Sequence, residues 1–325
     1  MTQRVGRTLE LNASVPTLPV EGNDMARRGG SHTLMQRREA RAGYLLLTPF
    51  MVVFAAMIVV PLGYAAYLSF FRTKLIGGTS FVGLDNFRQA LTDERFLSGL
   101  GRVAQFFAIQ VPTMLIVALF LALLIDSGRL RAKRFVRLAV FLPYAVPAVV
   151  AALMWGYIYG GTYGPFAQLA KSVGLPAPDF FSSSTILYSI MNIVSWSYVG
   201  YNMMILYSAL RTIPTELYEA ARIDGANEFK IAWSIKIPAI RGALVLTVIF
   251  SIMGSFQLFN EPNILKALAP TAIGTSFTPN VYAYNLAFNS KSTNYAAAIA
   301  FLLGFVIMIV SYIFQLTTRR KEVDS

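Results

Sequence analysis

Residues 219–238 read EAARIDGANEFKIAWSIKIP, a polar island between two long apolar segments. Just upstream, Pro214-Thr215 opens a helix, with Thr215 placed to cap it and Glu216 and Glu219 near the positive end of its dipole. Leu217, Ala220 and Ala221 then share a face whose small side chains let a partner surface come close to the backbone. Glu219 is available there for a charge-assisted bond to a basic partner. Gly225, within Asp224-Gly225-Ala226, suits the left-handed conformation that ends such a helix. Asn227 is then placed to cap a second helix, from Glu228 to about Lys236, ahead of Pro238. The pattern reads either as an ordinary helical hairpin or as a handle gripped from outside the membrane.

The 325-residue chain around this island is 55% apolar and only 14% charged, with a mean hydropathy of +0.54. That composition suits lipid better than a water-exposed surface, so an all-α, multi-span membrane protein is expected. Cysteine is absent, and the only histidine, His32, lies in a polar tail. A thiolate nucleophile, a disulfide framework, a Cys or His zinc site and a Ser-His-Asp triad therefore have no material, and no metal site is expected. The net charge of +12 sits in clusters beside apolar spans, not in a basic stripe interleaved with aromatics. It marks membrane loops near anionic lipid and argues against nucleic acid.

Residues 1–43 form an Arg-rich polar tail, expected to be partly disordered, and residues 319–325 a short second tail. The first apolar run begins at Tyr44 and is too long for a signal peptide; Met25 and Met35 offer alternative starts. Over 44–318 six apolar segments follow, at about 44–71, 103–125, 135–159, 185–210, 243–265 and 295–316, each near the roughly 20 residues a helix needs to cross the bilayer. Pro49, Pro61, Pro112, Pro143 and Pro147 interrupt them, as kinks or as moving gates. With both termini inside, 20 of the 28 Lys and Arg fall on inner segments, five of them in the 211–241 loop, although five crowd the first outer loop. In that loop Gly83-Leu84-Asp85 turns into an amphipathic helix expected on the membrane surface, with Phe87, Leu91 and Phe96 on or near one face. Trp155, Tyr157 and Tyr159 suit an interfacial aromatic belt, and Gly156, Gly160 and Gly164 permit close helix packing or mark a glycine-rich turn.

The island closely resembles the EAA loop of binding-protein-dependent ABC importer permeases, through Glu219-Ala220-Ala221, Gly225 and the Ile-x-x-Pro ending at Ile235 and Pro238. Its fuller form, IPTELYEAARIDGA, resembles the carbohydrate branch, as do VGLDNF at 82–87, RFVRLAVFLPYAVPAVVAALMW at 134–155 and SFQLFNEPNIL at 255–265. One departure is Leu268-Ala269-Pro270, where the family often has Gly-Gly-Pro. The resemblance implies a type I ABC importer permease fold in the cytoplasmic membrane, multi-pass, with both termini cytoplasmic. It also implies a second homologous permease as heterodimer partner, two ABC ATPase subunits and an extracytoplasmic sugar-binding protein. In such importers the EAA helix docks on the ATPase, which gives Glu219, Ala220, Ala221, Asp224, Gly225 and Ala226 a coupling role. No lysine in this chain follows a glycine, so it has no Walker A loop; ATP-Mg belongs to the ATPase and no cofactor is expected here.

A sugar cavity needs aromatic faces and amide, hydroxyl or carboxylate groups that bind sugar hydroxyls. The fourth span supplies Asn192, Ser195, Trp196, Ser197, Tyr198, Tyr201 and Asn202, and the fifth Ser251, Ser255, Gln257, Asn260 and Glu261. Such groups avoid lipid, so they line a cavity or glue helices together. Resemblance to maltose-type permeases raises Ser197, Tyr198, Tyr201 and Ser255 as substrate contacts, while Gln257, Asn260 and Glu261 rest on polarity and depth. The expected function is a non-enzymatic permease subunit moving a sugar, a di- or oligosaccharide, by alternating access. The alternative is a permease for a sugar-phosphate, a polyol or another small solute. An intramembrane enzyme lacks its nucleophile, and a scaffold without transport leaves the polar clusters unexplained.

Overall fold

The computed structural model describes residues 25–323 apart from Leu75 and Arg129. The disorder expected at the start of the tail falls on residues 1–24 and lies outside the described residues. The chain divides into two units, Met1–Leu62 and Gly63–Ser325.

In the first unit, α1 (Met25–Phe54) begins inside the segment read as a polar tail and carries Pro49 within it. A wide turn at Ala55–Val59 leads into α2 (Val60–Ser69). Pro61 lacks the N–H that would close the turn before it, which favours such a widening. Side chains from Tyr44 to Leu62 are exposed and mostly apolar, as contact with lipid requires.

The second unit takes α2 from Gly63 onward and continues with an antiparallel hairpin of β1 (Phe71–Lys74) and β2 (Gly78–Phe81), the one strand pair among the described residues and one that the sequence pattern did not announce. Then follow α3 (Asp85–Thr92), α4 (Glu94–Asp126), α5 (Lys133–Phe141), α6 (Ala148–Ile158), α7 (Pro165–Ser172) and α8 (Ile186–Leu210). The expected polar hairpin supplies α9 (Thr215–Ile223), α10 (Glu228–Ile231) and α11 (Ile237–Ala239). Last come α12 (Arg241–Phe256), α13 (Asn260–Leu265), α14 (Pro279–Tyr284) and α15 (Thr293–Val323).

Among the described residues four helical stretches are long and apolar enough to cross a membrane, Arg41–Ser69, Glu94–Asp126, Arg241–Leu265 and Thr293–Thr318. Lys133–Ala145 and Ala148–Ile158, the segments of α5 and α6, are apolar enough only when taken together, and they are bent by 99°, as in a broken span or a re-entrant loop. The bend falls where Pro143 and Pro147 forbid continuous helical bonding, so this proline pair breaks the helix, whereas Pro112 lies inside the unbroken α4. The expected fourth span, α8, is long enough at 25 residues but too polar to qualify on apolarity, because the proposed cavity residues lie on it.

The most extensive helix pair is α4 against α8. Lipid tails are as apolar as leucine, so close backbone approach, more than burial, holds such helices together. Gly200 shows this where α8 meets α5: a Cβ there would collide with the Val140 carbonyl and the Phe141 backbone. The core between α4, α8 and α13 includes Phe106, Ile186, Ile190, Ile193 and Leu265.

Several local expectations are corrected. The segment expected as the first outer loop forms two helices, not one: α3 buries Asn86 and Ala90 while Leu91 stays exposed, and Phe96 belongs to α4, packing near Tyr282 and Ile299. Tyr159 is no belt residue but is buried, with its hydroxyl accepting from Asn192 Nδ2 at 2.7 Å. Of the three spaced glycines only Gly156 meets another element, at Leu265 and Leu268; Gly160 and Gly164 close on each other in a turn.

Candidate functional site

The expected fifth span breaks between α12 and α13. Gln257, Leu258 and Phe259 leave the helix inside a stretch apolar enough to cross a membrane, where unpaired backbone carbonyls are costly. Distant side chains satisfy two of them: Thr278 Oγ1 donates to the Leu258 carbonyl at 2.9 Å, and Asn280 Nδ2 to that of Phe256 at 2.8 Å. The opened backbone faces a cavity of about 350 Å3.

Seven of the expected substrate residues line this cavity: Tyr198, Tyr201 and Asn202 from α8, and Ser255, Gln257, Asn260 and Glu261 from the broken span. Two do not. Trp196 packs edge-on against Trp155 at 5.9 Å, and Ser197 donates to the Ile193 carbonyl of its own helix at 3.0 Å. Asn192 and Ser195 act as interhelical glue, Asn192 on Tyr159 and Ser195 accepting from Gln110 Nε2 at 3.2 Å.

The sequence reading missed Gln110, Met114 and Tyr144 in the cavity wall. Tyr144 stacks on Tyr201 with centroids 4.7 Å apart and meets Tyr198 edge-on at 5.8 Å, so three phenols from two elements form one aromatic wall. Its signal was its place between Pro143 and Pro147, in a span that must bend. Asn202 donates to the Tyr198 carbonyl at 3.0 Å, and its buried Oδ1 has no partner among the described residues. Glu261, 8% exposed, is the only acidic residue of the lining, which contains no Lys, Arg or His.

The polar hairpin lies apart from this cavity in sequence and forms its own structure. Pro214 occupies the position before α9 and Thr215 its first turn, so the expected Thr215 cap is absent: Pro214 takes the extended conformation that precedes a helix. Gly225 adopts φ +79°, ending α9 as expected. Asn227 Oδ1 accepts from Lys230 N at 2.8 Å, the expected cap of the second helix. That helix continues beyond the expected end, through a wide turn at Ala232–Lys236 into α11, with Pro238 inside it. Arg222 and Glu228 close the turn with an ion pair at 3.0 Å. Glu219, Ala220, Asp224 and Gly225 are exposed, and Ala221 and Ala226 half-buried.

Beneath that surface, Lys236 Nζ donates to Asp126 Oδ2 at 2.6 Å and lies 4.7 Å from the centre of the Tyr218 ring. Burial, reinforced by Asp126 and opposed by Arg211, pushes the Tyr218 phenol up to about 12, so it stays neutral near pH 7.

Among proteins similar to this chain, the arabinooligosaccharides transport system permease protein AraP of Bacillus subtilis is 29% identical, over 89% of this chain and 91% of that protein. The diacetylchitobiose uptake system permease protein NgcF of Streptomyces coelicolor is 28% identical over 83% and 80% of the two chains. The trehalose/maltose transport system permease protein MalF of Thermococcus litoralis is 27% identical over 89% and 97%. A chain of a bacterial ABC transporter that imports the acidic polysaccharide alginate shares the fold, with a TM-score of 0.79 at 18% identity over 89% of this chain and 99% of that one. The family model for the binding-protein-dependent transport system inner membrane component matches residues 114–322, more than half of the sequence and nearly all of the helices that build the cavity and the polar hairpin. This is a membrane-embedded chain, and it belongs to that family.

Proposed function

We propose that the chain is the permease subunit of an ATP-driven ABC importer, carrying a neutral di- or oligosaccharide across the cytoplasmic membrane by alternating access, without covalent chemistry. One observation carries the reading: an aromatic wall of Tyr144, Tyr198 and Tyr201 shares one cavity, opened by a broken span, with the amides of Asn202, Gln257 and Asn260 and the hydroxyl of Ser255. Aromatic faces stack on the C–H faces of sugar rings, and the amides exchange hydrogen bonds with ring hydroxyls. The names of the relatives, which concern arabinooligosaccharides, diacetylchitobiose and trehalose or maltose, support a saccharide.

The alternative of a sugar-phosphate fits the cavity less well. A buried phosphate needs a cation or a cluster of backbone donors, and the lining offers Glu261 and no cation.

ATP is hydrolysed in this reading by a separate ABC ATPase, present in two copies, because the chain has no phosphate-cradling Gly-Lys loop. The hairpin of Glu219, Ala220, Ala221, Asp224, Gly225 and Ala226 is its docking point, on the cytoplasmic side with both termini. A second, homologous permease completes the membrane pore, and an extracytoplasmic sugar-binding protein delivers the cargo. The solved alginate transporter in complex with an alginate pentasaccharide-bound periplasmic protein supports a binding-protein partner.

Uptake of a panel of labelled neutral oligosaccharides, compared between cells with and without the gene, tests the reading. At least one accumulates only when the gene is present, and glucose 6-phosphate does not compete. Uptake of every probe unchanged by the deletion sinks the proposal.

A further inference from the structure

The buried charges that the sequence reading passed over lie under the polar hairpin. Asp126 is the last residue of α4, Tyr218 belongs to α9, and Lys236 ends the wide turn after α10. Two parts of the hairpin and the distant end of α4 therefore meet at one ammonium group. Its nitrogen holds the Asp126 carboxylate at 2.6 Å and faces the Tyr218 ring at 4.7 Å, and the Lys236 and Asp126 side chains are only 4% and 6% exposed.

Such a pair is a poor device for stability alone. Removing two charges from water costs more than their attraction commonly returns, and an apolar pair of similar volume would hold the helices as well. What the ion pair adds is direction: it accepts one geometry and resists separation, because each charge is stranded without the other. The ring of Tyr218 adds a cation–π contact from the side of α9. The Tyr218 hydroxyl is buried with no hydrogen-bond partner among the described residues, so the ring, not the hydroxyl, is what the site uses.

On the other side of the pair, α4 runs unbroken from Asp126 to the cavity. Gln110 and Met114 of α4 line that cavity, and at 1.5 Å per residue Asp126 lies about 24 Å from Gln110 along the helix. The exposed face of α9, with Leu217, Glu219 and Ala220, lies outside this joint.

We propose that Lys236, Asp126 and Tyr218 form a fixed joint that makes the hairpin and α4 move as one body, carrying displacement of the hairpin to the cavity wall. The proposal rests on the hairpin being the ATPase-docking element. Lys236 and Asp126 are then positioning residues for energy transfer and touch neither ATP nor sugar.

The absence of native cysteine makes a direct test practical. Nitroxide labels on Leu124→Cys in α4 and Phe229→Cys, exposed on the hairpin outside the docking residues, report the distance across the joint in the transporter purified with its ATPase. On adding ATP-Mg, with hydrolysis blocked, that distance stays unchanged in the native background. In Asp126→Asn and in Lys236→Met it shifts by several ångström while the ATPase still co-purifies, and the exchange Asp126→Lys with Lys236→Asp restores the constant distance. A distance that shifts as much in the native background, or stays constant in both single variants, overturns the joint. Should the single variants fail to insert, the exchanged pair decides alone: a constant distance supports the joint and a shift overturns it. No ATPase co-purifying with the native chain removes the docking reading, and the joint with it; this is distinguishable because it precedes any distance measurement.

Discussion

At the scale of single residues, space and chemistry separate cleanly. Gly200 has no room for a methyl group against the Val140 carbonyl, whereas Gly304 on α15 has nothing within 4 Å of a built Cβ. Gly200→Ala should therefore cost about 1–3 kcal/mol by overpacking the approach of α8 to α5. Gly304→Ala should be neutral or slightly stabilising. Thermal unfolding in detergent compares the two, and equal midpoints would remove the close-approach argument. In the cavity, Tyr201→Ala deletes one face of the stacked pair with Tyr144. The KM for the transported sugar should rise about tenfold, the effect of losing roughly 1.4 kcal/mol of contact. Ser197→Ala should leave it unchanged, since that hydroxyl is turned to its own helix. Unchanged KM in Tyr201→Ala would take the aromatic wall out of recognition. Tyr198, Tyr201, Ser255 and Glu261 were legible because several polar groups on two apolar spans need a reason to be there. Gln110 and Tyr144 were not: each is a single residue in an apolar stretch, and only the packing of α4 and the bend before α6 turn them inward.

At the scale of elements, local chemistry was readable and long-range closure was not. Gly225 and Asn227 declared the hairpin, because a positive φ and a helix cap depend on neighbours in sequence. The break at Gln257–Phe259 has a local cause in Pro262, which has no N–H for the Leu258 carbonyl four residues back, but the partners that satisfy the opened carbonyls, Thr278 and Asn280, lie some twenty residues away. The start of α4 is fixed in the same nonlocal way. Asp93 accepts from Arg95 N at 2.9 Å, as an N-cap, and from the Tyr282 and Tyr295 hydroxyls at 2.7 Å each. Burial alone would raise the Asp93 carboxyl, but these donors outweigh it and hold it below its ordinary value. A carboxylate depressed by folding stabilises the fold fully above its unfolded pKa, and the contribution fades as pH falls through the folded value. Acid melts should thus show a stability loss below about pH 4 that Asp93→Asn lacks, with that variant about 1 kcal/mol less stable at pH 7. A variant with the same acid profile as the native chain would remove Asp93 from the account. For the hairpin itself, Gly225→Trp forces a bulky residue into φ +79°, at a turn with open space around it. The bundle should fold and insert while ATPase stimulation disappears; normal ATP-driven uptake would end the coupling assignment.

At the scale of the whole molecule, the fold class followed from composition, because a chain 55% apolar with spans near twenty residues has no soluble solution. The bend between α5 and α6 and the polarity of α8 blur a simple count of spans, and both have the same cause, since a cavity needs broken backbone and polar walls where a plain span has neither. The proposed function adds a demand that folding does not make: the hairpin must lie where ATP is. The positive charges on the expected inner segments argue that it does, yet the first outer loop carries Arg72, Lys74, Arg88, Arg95 and Arg102 against the rule. The structure gives two of these charges other work. Arg72 holds Asn86 and Gln89, and Arg102 donates to the Ser276 and Phe277 carbonyls. Charges engaged in tertiary contacts compete less as topology signals, so the bias of the remaining loops should prevail. Single cysteines in the cysteine-free chain decide this. Ile223→Cys, at a side chain 86% exposed on the hairpin, should react with an impermeant maleimide only after the cells are opened. Lys291→Cys, in the exposed turn before α15, should react in intact cells. Labelling of Ile223→Cys from outside would put the hairpin beyond the reach of any cytoplasmic ATPase. The proposed route from ATP through the hairpin and α4 to the sugar cavity would then have no beginning.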